Sequence, residues 1–334
     1  MYYLLNKSTN PYFNLALEEY LFLNDKYNDD IIIIWRNEES IFIGKNQNPY
    51  QEVYHDVIEK GEIPILRRIS GGGTVYHDLG NINMSFIQKD RQLHEIDFLE
   101  HTKFMQKMLS TLGLDVSITE RKDLFLNGKK ISGSAQSIKR KNSLYHGTLL
   151  YDSDLNKLTK YLNSNKATES NATKSVSSKV TNIKFLLEKD INYFLDYCVE
   201  YLKSNIKNIK ELELDEEDIK SVYNIGEDKY KKIEWTYGKT PKFQVVLPFN
   251  NESKINIHVN RWKVSKFFIS YDDNVINMDK LLDLNFFKEE IKESILENYP
   301  HYIDLINLIF LHINNHYKIV KLKTTLLKNQ YIFV

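Results

Sequence analysis

A short glycine-rich stretch, RRISGGGTVYHD at residues 67–78, holds the densest group of residues in the chain that could do chemistry. Three of only twelve glycines in 334 residues stand side by side there, directly after Arg67 and Arg68 and the pair Ile-Ser. Glycine lets a ligand approach the main chain closely, and bare N–H groups in such a loop can hold an anion. Arginine adds permanent charge and forked donors that suit carboxylate or phosphate. The stretch alone fits an anion site and an ordinary surface turn equally well.

A second chemically useful stretch is RKDLFLNGKKISGSA at residues 121–135. Its Asn-Gly pair at 127–128, between short alternating segments, predicts a two-residue β-hairpin. The hairpin would place Asp123 near the start of one arm and Lys130 near the start of the other, within side-chain reach. Strand alternation would turn Lys129 to the opposite face.

The elements around the glycines argue against the common nucleotide-binding loops. IPIL (63–66) leads into the loop and NINMSFI (81–87) leaves it, so the connection is strand–loop–strand. A dinucleotide or Walker-type loop opens a helix instead, and neither GxGxxG nor GxxxxGK[ST] occurs in the sequence. The period-two alternation of NINMSFI predicts a strand with one face toward solvent.

Composition limits the classes of partner and compartment. Lys+Arg and Asp+Glu both number 45, with a pI near 7.1, so no overall field would hold nucleic acid or a membrane. The apolar runs are too short to span a bilayer, and MYYLLNKSTN lacks the features of a signal peptide. A single cysteine, Cys198, lies in a helical apolar stripe and is expected to be a buried core thiol. We therefore expect a soluble cytoplasmic protein without nucleic-acid or membrane partners.

Strands and helices that alternate without strict βαβ order indicate an α+β sheet domain. Residues 163–182 are polar and rich in Ser, Thr, Asn and Lys, which fits a solvated linker and a mobile lid equally well. The composition of the sequence changes after about residue 235, where WTYGKTPKF has aromatic residues around a glycine and a Lys-Thr-Pro turn. We predict a catalytic domain over 1–247 and a small accessory domain over 248–334.

Several stretches, taken in order, resemble the lipoate–protein ligases. They are NPYFNLALEEY, IIIWRNEESIFIGKNQNPYQE, RRISGGGTVYHDLGN, RKDL, KKISGSA, YHGTLL and SKVTNI, which together cover almost all of residues 1–185. WTYGKTPKF is similar to the entry into the accessory C-terminal domain of that family. The resemblance implies an α+β biotin/lipoate-ligase-like catalytic domain, built on a mixed β-sheet with flanking helices, and a small α+β C-terminal domain.

The resemblance implies a two-step reaction. ATP, with Mg²⁺, adenylates the lipoate carboxylate and releases pyrophosphate; a lysine of the carrier then attacks lipoyl-AMP and AMP leaves. The implied partners are apo lipoyl domains of 2-oxoacid dehydrogenase complexes and the glycine cleavage H protein. In the first step two anions must meet, so fixed cations and backbone N–H donors are the expected catalysts.

The residue roles implied by the resemblance centre on the two quoted stretches. The expected ATP contacts are Arg68, Lys130 and the main chain of Gly73, Thr74, Val75 and Tyr76. Lys130 would reach both the lipoate carboxylate and the α-phosphate, with Arg68 and His146 as further lipoate contacts. Asp123 would bind Mg²⁺ or orient the incoming lysine. For both Asp123 and His146 a purely structural hydrogen bond is an equal alternative.

Two departures from the family pattern bear on the ATP-using step. Lys122 stands where the family often has asparagine, and Ser177-Ser178-Lys179 stands where Arg-Ser-Arg is common. The nearest alternative is therefore a lipoyl or octanoyl transferase that takes preformed acyl-AMP or an acylated carrier. A biotin ligase would need a basic Gly-Arg loop that this sequence lacks. A non-catalytic carrier- or lipoyl-AMP-binding protein is a further alternative, which the retained Lys130 disfavours.

Overall fold

The computed structural model describes residues 1–162, 168–170, 172–176, 178–249, 252–272 and 274–311. Its strands are, in chain order, β1 (Tyr2–Leu5), β2 (Ile31–Trp35), β3 (Ser40–Ile43), β4 (Ile65–Arg67), β5 (Val75–His77), β6 (Asn81–Gln88), β7 (Val116–Ile118), β8 (Leu124–Leu126), β9 (Lys129–Ser132), β10 (Ser134–Lys139), β11 (Asn142–Leu150), β12 (Thr168–Ser170), β13 (Lys210–Glu211), β14 (Phe243–Pro248), β15 (Ser253–Asn260), β16 (Lys263–Tyr271) and β17 (Asn274–Asn277). Its helices are α1 (Pro11–Leu23), α2 (Pro49–Glu52), α3 (His55–Lys60), α4 (Phe98–Ser110), α5 (Leu155–Tyr161), α6 (Lys184–Leu187), α7 (Ile191–Asn205), α8 (Glu216–Ile225), α9 (Ile233–Thr236), α10 (Lys288–Asn298) and α11 (Asp304–Leu311).

The main sheet has six strands in the order β10-β11-β6-β2-β1-β13. β1 runs parallel to β2 and β13, whereas β2, β6, β11 and β10 pair antiparallel, so the sheet is mixed. α4 and α7 contribute to the core on one face, and α1 to the core on the other. The predicted α+β fold, a mixed sheet with flanking helices, is confirmed.

Two small sheets flank the main sheet, one on the side of α1 and the other packed with α4 and α7. One has the order β4-β3-β5, and the glycine-rich loop joins its outer strands β4 and β5. The other is the meander β7-β8-β9. The predicted hairpin at 127–128 joins β8 to β9, with Asn127 at φ 51° and Gly128 at φ 72°.

The polar face of β6 does not reach solvent, so that prediction is wrong. Asn81, Asn83 and Ser85 are all buried, with at most 2% of each residue exposed. Ser85 and Asn83 stand opposite His146 and Thr148 of β11, on the face covered by α1. The alternation is real, but the polar side of the strand faces an internal site.

A second sheet, antiparallel throughout, has the order β12-β14-β15-β16-β17 and packs against α10 and α11. β14 spans Phe243–Pro248, so the predicted domain boundary at 247/248 falls inside a strand. β12 reaches this sheet from the polar 163–182 segment. Residues 312–334 of the predicted accessory domain lie outside the described part of the chain.

Cys198 lies in α7 with none of its surface exposed, and burial raises the pKa of its thiol well above the ordinary value. The expectation of a buried core thiol is confirmed. No helix in the described ranges has the length and apolar character needed to cross a bilayer.

Candidate active site

Arg68 holds the glycine-rich loop in shape from inside. Its guanidinium donates to the carbonyl oxygens of Gly71 and Gly73, at 2.6 Å each, and to that of Phe42 at 3.1 Å. A further bond, from Nε to Ser70 Oγ, measures 3.0 Å. Burial lowers the pKa of Arg68 to about 10, which leaves the side chain a cation at neutral pH. The charge therefore sits directly beneath the loop backbone.

Arg67 has a structural role. It is fully buried and donates only to protein oxygens: Nη1 to the carbonyls of Gly44, Lys45 and Gln47, and Nε and Nη2 to the carbonyl of Thr236. The burial of both arginines excludes an ordinary surface turn.

A chain of hydrogen bonds links the loop to the main sheet through His146. Its Nε2 lies 2.8 Å from Ser70 Oγ and its Nδ1 lies 2.8 Å from Glu18 Oε1. Glu18 also accepts from Ser85 Oγ at 2.6 Å, and Ser85 accepts from Trp35 Nε1 at 2.8 Å. His146 lines the cavity and is also held by structural bonds, and its contact with lipoate stays a prediction.

Lys130 and Asp123 form an ion pair of 2.9 Å across the β8–β9 hairpin. Their side chains are 22% and 15% exposed, so the pair lies at the rim of the cavity. The Lys130 backbone bonds to the carbonyl of Lys179 and to the amide of Thr181, which draws the segment after Ser178 alongside β9. Ser177, one of the departures noted above, lies outside the described residues.

These groups face one cavity of about 730 Å³ between the main sheet, the glycine-rich loop and the β8–β9 hairpin. Its apolar wall consists of Leu15, Trp35, Phe42, Val75 and Phe125. Its polar wall includes Arg68, Gly73, Thr74, Asp123, Lys130 and His146. The cavity is therefore amphipathic, with a long apolar part and a rim of cations and backbone amides.

The side chain of Tyr76 is buried, with 2% of the residue exposed, and it does not line the cavity. Its ring packs against Tyr161 in the core below α3. The predicted contact of Tyr76 with ATP involves its main chain, and it stays a prediction. Gly73, Thr74 and Val75 all line the cavity.

His77 is a cavity residue that the sequence did not single out. A row of amides fixes it: Asn6 donates to Asn14 Oδ1 at 2.7 Å, Asn14 to Asn37 Oδ1 at 2.8 Å, and Asn37 Nδ2 to His77 Nδ1 at 2.9 Å. Nδ1 therefore accepts, and Nε2 carries the proton. Nε2 is buried without a partner among the described residues, so His77 offers a fixed neutral donor to a ligand.

Burial, reinforced by the charge of Arg68, lowers the pKa of His77 to about 3. The ring stays neutral at physiological pH and stacks on Phe42, with ring centroids 4.4 Å apart. The sequence signal that could have found it is the His-Asp pair closing the glycine-rich stretch. Asn6, Asn14 and Asn37 are 8 to 40 residues apart from their partners, so no local pattern reveals the row.

The predicted metal ligand, Asp123, has Lys130 as its ionic partner. Within the described ranges, no group of three His, Cys, Asp or Glu side chains could hold a metal ion. Mg²⁺ is usually bound by one or two carboxylates together with substrate phosphates and water, so Asp123 stays a predicted ligand.

Fold and cavity together define a class of α+β catalytic domain, in which a mixed sheet and a glycine-rich loop enclose an amphipathic site. The family described as Lipoyl protein ligase A/B catalytic domain matches residues 10–203. A lipoate–protein ligase of Bacillus subtilis, LplJ, is 31% identical, with 93% of this chain and all of that protein covered. The chain therefore belongs to the lipoate–protein ligase family of enzymes.

The other relatives include one named as an amidotransferase and two solved structures named as ligases. Human mitochondrial lipoyl amidotransferase LIPT1 is 35% identical, with 73% of this chain and 67% of that protein covered. A crystal structure of lipoate–protein ligase A bound with ATP is 25% identical, with a TM-score of 0.59 over 70% of this chain and 97% of that one. A bi-partite lipoate protein ligase of Thermoplasma acidophilum, from an archaeal lipoylation system that includes its E2 lipoyl domain, is also 25% identical. Its TM-score is 0.58 over 70% of this chain and 95% of that one.

Proposed function

We propose that this enzyme uses ATP to join lipoate to a lysine of a lipoyl carrier domain, through a lipoyl-AMP intermediate. The observation that carries the proposal is the amphipathic cavity whose rim brings Lys130, Arg68 and the amides of the glycine-rich loop together. An apolar acyl chain ending in a carboxylate matches such a cavity. The ATP-bound and E2-associated relatives support the choice of nucleotide and of carrier class.

In the proposed first step, a lipoate carboxylate oxygen attacks the α-phosphorus of ATP and the bond to pyrophosphate breaks. Lys130 would leave Asp123 and bridge the carboxylate and the α-phosphate, which lowers the repulsion between two anions. Main-chain groups of Gly73, Thr74, Val75 and Tyr76 would bind the nucleotide. Arg68 would act through its charge and through the loop shape that it holds.

In the proposed second step, the neutral amine of the carrier lysine attacks the acyl carbon of lipoyl-AMP. An amide bond forms, the bond to the phosphate oxygen breaks, and AMP leaves with the negative charge. Asp123, once released by Lys130, is placed to orient the incoming amine or take its proton. We propose that Mg²⁺ enters with ATP as its complex, and that Asp123 and Glu120, the two acidic residues of the described chain that line the cavity, lie near it.

The lipoate chain would occupy the apolar wall, with His146 and His77 as its polar neighbours. We propose lipoyl domains of 2-oxoacid dehydrogenase complexes and the glycine cleavage H protein as carriers, and the cytoplasm as the compartment. We also propose that the accessory unit begins near residue 240, just before β14, instead of at 248. Residues 1 to about 240 would then form the catalytic unit.

The test is a reconstituted reaction with purified protein, lipoate, ATP, Mg²⁺ and an apo lipoyl domain. We expect the carrier to gain the mass of one lipoyl group, and lipoyl-AMP and pyrophosphate to appear when the carrier is omitted. A gain from preformed lipoyl-AMP but none from ATP would instead establish the transferase. The observations behind this second candidate are the similarity to the human amidotransferase and the residues Lys122 and Ser177.

A further inference from the structure

Ser175 lies directly on the glycine-rich loop. Its Oγ accepts a hydrogen bond from the backbone amide of Thr74 at 2.8 Å and a second from Gln47 Nε2 at 3.1 Å. The same hydroxyl donates to Glu52 Oε2. A hydroxyl offers one donor and two acceptor sites, so the bonding capacity of Ser175 is used in full.

Glu52 anchors Ser175 with both carboxylate oxygens. Oε1 accepts from the Ser175 amide at 3.1 Å, and Oε2 accepts from the Ser175 hydroxyl. Glu52 is only 5% exposed. A buried carboxylate beside a loop that binds anions is electrostatically unfavourable for the ligand, since like charges repel. The Glu52 carboxylate therefore does not serve to bind the anion, and its two bonds to Ser175 indicate its role.

Gln47 closes the same network from the other side. Its Oε1 accepts from the amide of Gly44 at 2.8 Å and from Thr74 Oγ1 at 2.9 Å. The Thr173 amide donates to the carbonyl of Asn46 at 3.1 Å. The segment 172–176 is thus bound to the loop at Thr74 and to the neighbouring residues Asn46, Gln47 and Glu52. Its Thr173, Lys174 and Val176 side chains remain exposed.

The consequence follows from the single hydrogen on each backbone amide. The Thr74 N–H is one of the donors proposed for the nucleotide, and Ser175 Oγ already occupies it. A Cβ on the adjacent Gly73 would come within 3.0 Å of the same oxygen, so Ser175 also fills the space beside the loop. Nucleotide and Ser175 cannot bind this amide together.

We infer that Glu52 is a positioning residue that holds Ser175 on the Thr74 amide, so that the 172–176 segment competes with the nucleotide for the glycine-rich loop. Binding of ATP requires Ser175 to leave, and release of the nucleotide lets it return. Glu52 acts through Ser175 and touches no substrate. The inference rests on the proposed nucleotide site.

The test compares ATP binding by the wild-type protein with that by Ser175→Ala and Glu52→Gln, measured by calorimetry. Each change removes a bond that holds the segment down, so we expect ATP to bind about 2- to 10-fold more tightly, the equivalent of about one net hydrogen bond. The KM for ATP should fall by a similar factor, with the KM for lipoate unchanged. Ser175→Thr keeps the hydroxyl and should restore the wild-type dissociation constant.

Limited trypsin digestion supplies a readout that needs no turnover. Lys174 is exposed next to Ser175, and ATP should speed cleavage after it if the segment is displaced. Glu62→Gln, a change of an exposed carboxylate, serves as the matched control for Glu52→Gln and should leave ATP binding and digestion unaltered.

The outcomes separate this inference from the proposed function. Unchanged or weaker ATP binding by Ser175→Ala, beside measurable binding by the wild type, would overturn the inference and leave the function standing. Protection of Lys174 by ATP would also overturn it, because the segment would then close over the nucleotide. Failure of both proteins to bind ATP would overturn the two proposals together, whereas binding by Ser175→Ala alone would support the inference. Should Glu52→Gln not fold, the two serine variants still decide the question.

Discussion

At the scale of single residues, Lys130 has the contacts expected of a cation that changes partners. It is held by Asp123 at 2.9 Å, and its Nζ is 3.5 Å from where a Cβ on Gly133 would stand. An ammonium on a flexible stem can turn from a carboxylate of the protein to those of a ligand without moving the backbone.

Lys130→Ala should lose roughly 10²–10³-fold in the rate of lipoyl-AMP formation, by analogy with removing one donor to a developing anion. Single-turnover assays with radiolabelled ATP would measure it. Lys129→Ala is the matched control, because the Lys129 side chain is exposed and lies next to Lys130 on the same strand. This change should leave the rate within about twofold of wild type. An equal loss in both variants would remove the assigned role of Lys130.

One buried histidine, His77, and one half-buried histidine, His101, make the stability of the protein depend on pH. Burial lowers the pKa of His77 to about 3 and that of His101 to about 4. In the unfolded chain both titrate near the ordinary value of about 6.5. Below about pH 6.5 the unfolded state therefore binds protons that the folded state refuses, and folding is destabilised as pH falls toward 4.

The free energy of unfolding should fall by about 1 kcal/mol per pH unit for each of these histidines between pH 6 and pH 5. Urea titrations at several pH values would measure the slope. His101→Leu should roughly halve it, whereas a change at the exposed His94 should not alter it. A slope that is the same in His101→Leu as in the wild type would contradict the assignment.

At the scale of elements, the turn after β3 and the glycine-rich loop approach each other more closely than side chains allow. A Cβ on Gly44 would stand 2.2 Å from the carbonyl oxygen of Gly72, which is main chain and cannot rotate away. The Gly44 carbonyl also accepts from Arg67, so both sides of the contact are fixed. The shape of the loop therefore depends on a glycine outside the glycine-rich stretch.

Gly44→Ala should push the loop out of place and lower kcat/KM for ATP by about 10²-fold, as expected for a shift of about 1 Å at a reacting site. Steady-state kinetics, with circular dichroism to confirm folding, would measure it. Gly226→Ala is the control, because its added Cβ would meet neighbours no closer than 3.8 Å and it lies far along the chain from the loop. Normal kinetics in Gly44→Ala would show that the loop can move without cost.

Local elements of this site were predictable from sequence, and its long-range contacts were not. The hairpin at 127–128 follows from local turn chemistry, and it brings the Asp123 side chain within 2.9 Å of Lys130, although the register pairs Lys130 with Phe125. The sequence predicts that the polar face of β6 contacts solvent, and this is wrong. Alternation shows that the two faces of a strand differ, but it does not show whether the polar face contacts solvent or an internal cavity. Glu52 and Ser175 are 123 residues apart, so only the folded chain shows that they bond.

At the scale of the whole molecule, two side chains connect the surroundings of the site to the proposed boundary near residue 240 and to the core beyond it. Arg67 reaches the carbonyl of Thr236 at 2.6 Å and the hydroxyl of Thr240 at 3.0 Å, just before β14. Tyr50 of α2 is fully buried in the accessory core, stacked on Phe243 with ring centroids 5.7 Å apart. Arg67 adjoins the glycine-rich loop, and Tyr50 lies in the same helix as Glu52. The same two segments therefore contact the site and the region around β14.

Tyr50→Ala should therefore weaken the packing between the two units more than it weakens the core of either unit. Truncating a buried aromatic side chain costs about 3–5 kcal/mol, and here the cavity opens on the accessory side, next to Phe286. Hydrogen exchange followed by mass spectrometry should show β14 and β15 exchanging faster while β1 and β2 stay protected. Tyr223→Ala, at a tyrosine that is 55% exposed, is the control and should leave both regions unchanged. Equal acceleration in the two sheets would mean that the units unfold as one body, and Tyr50 would then be an ordinary core residue.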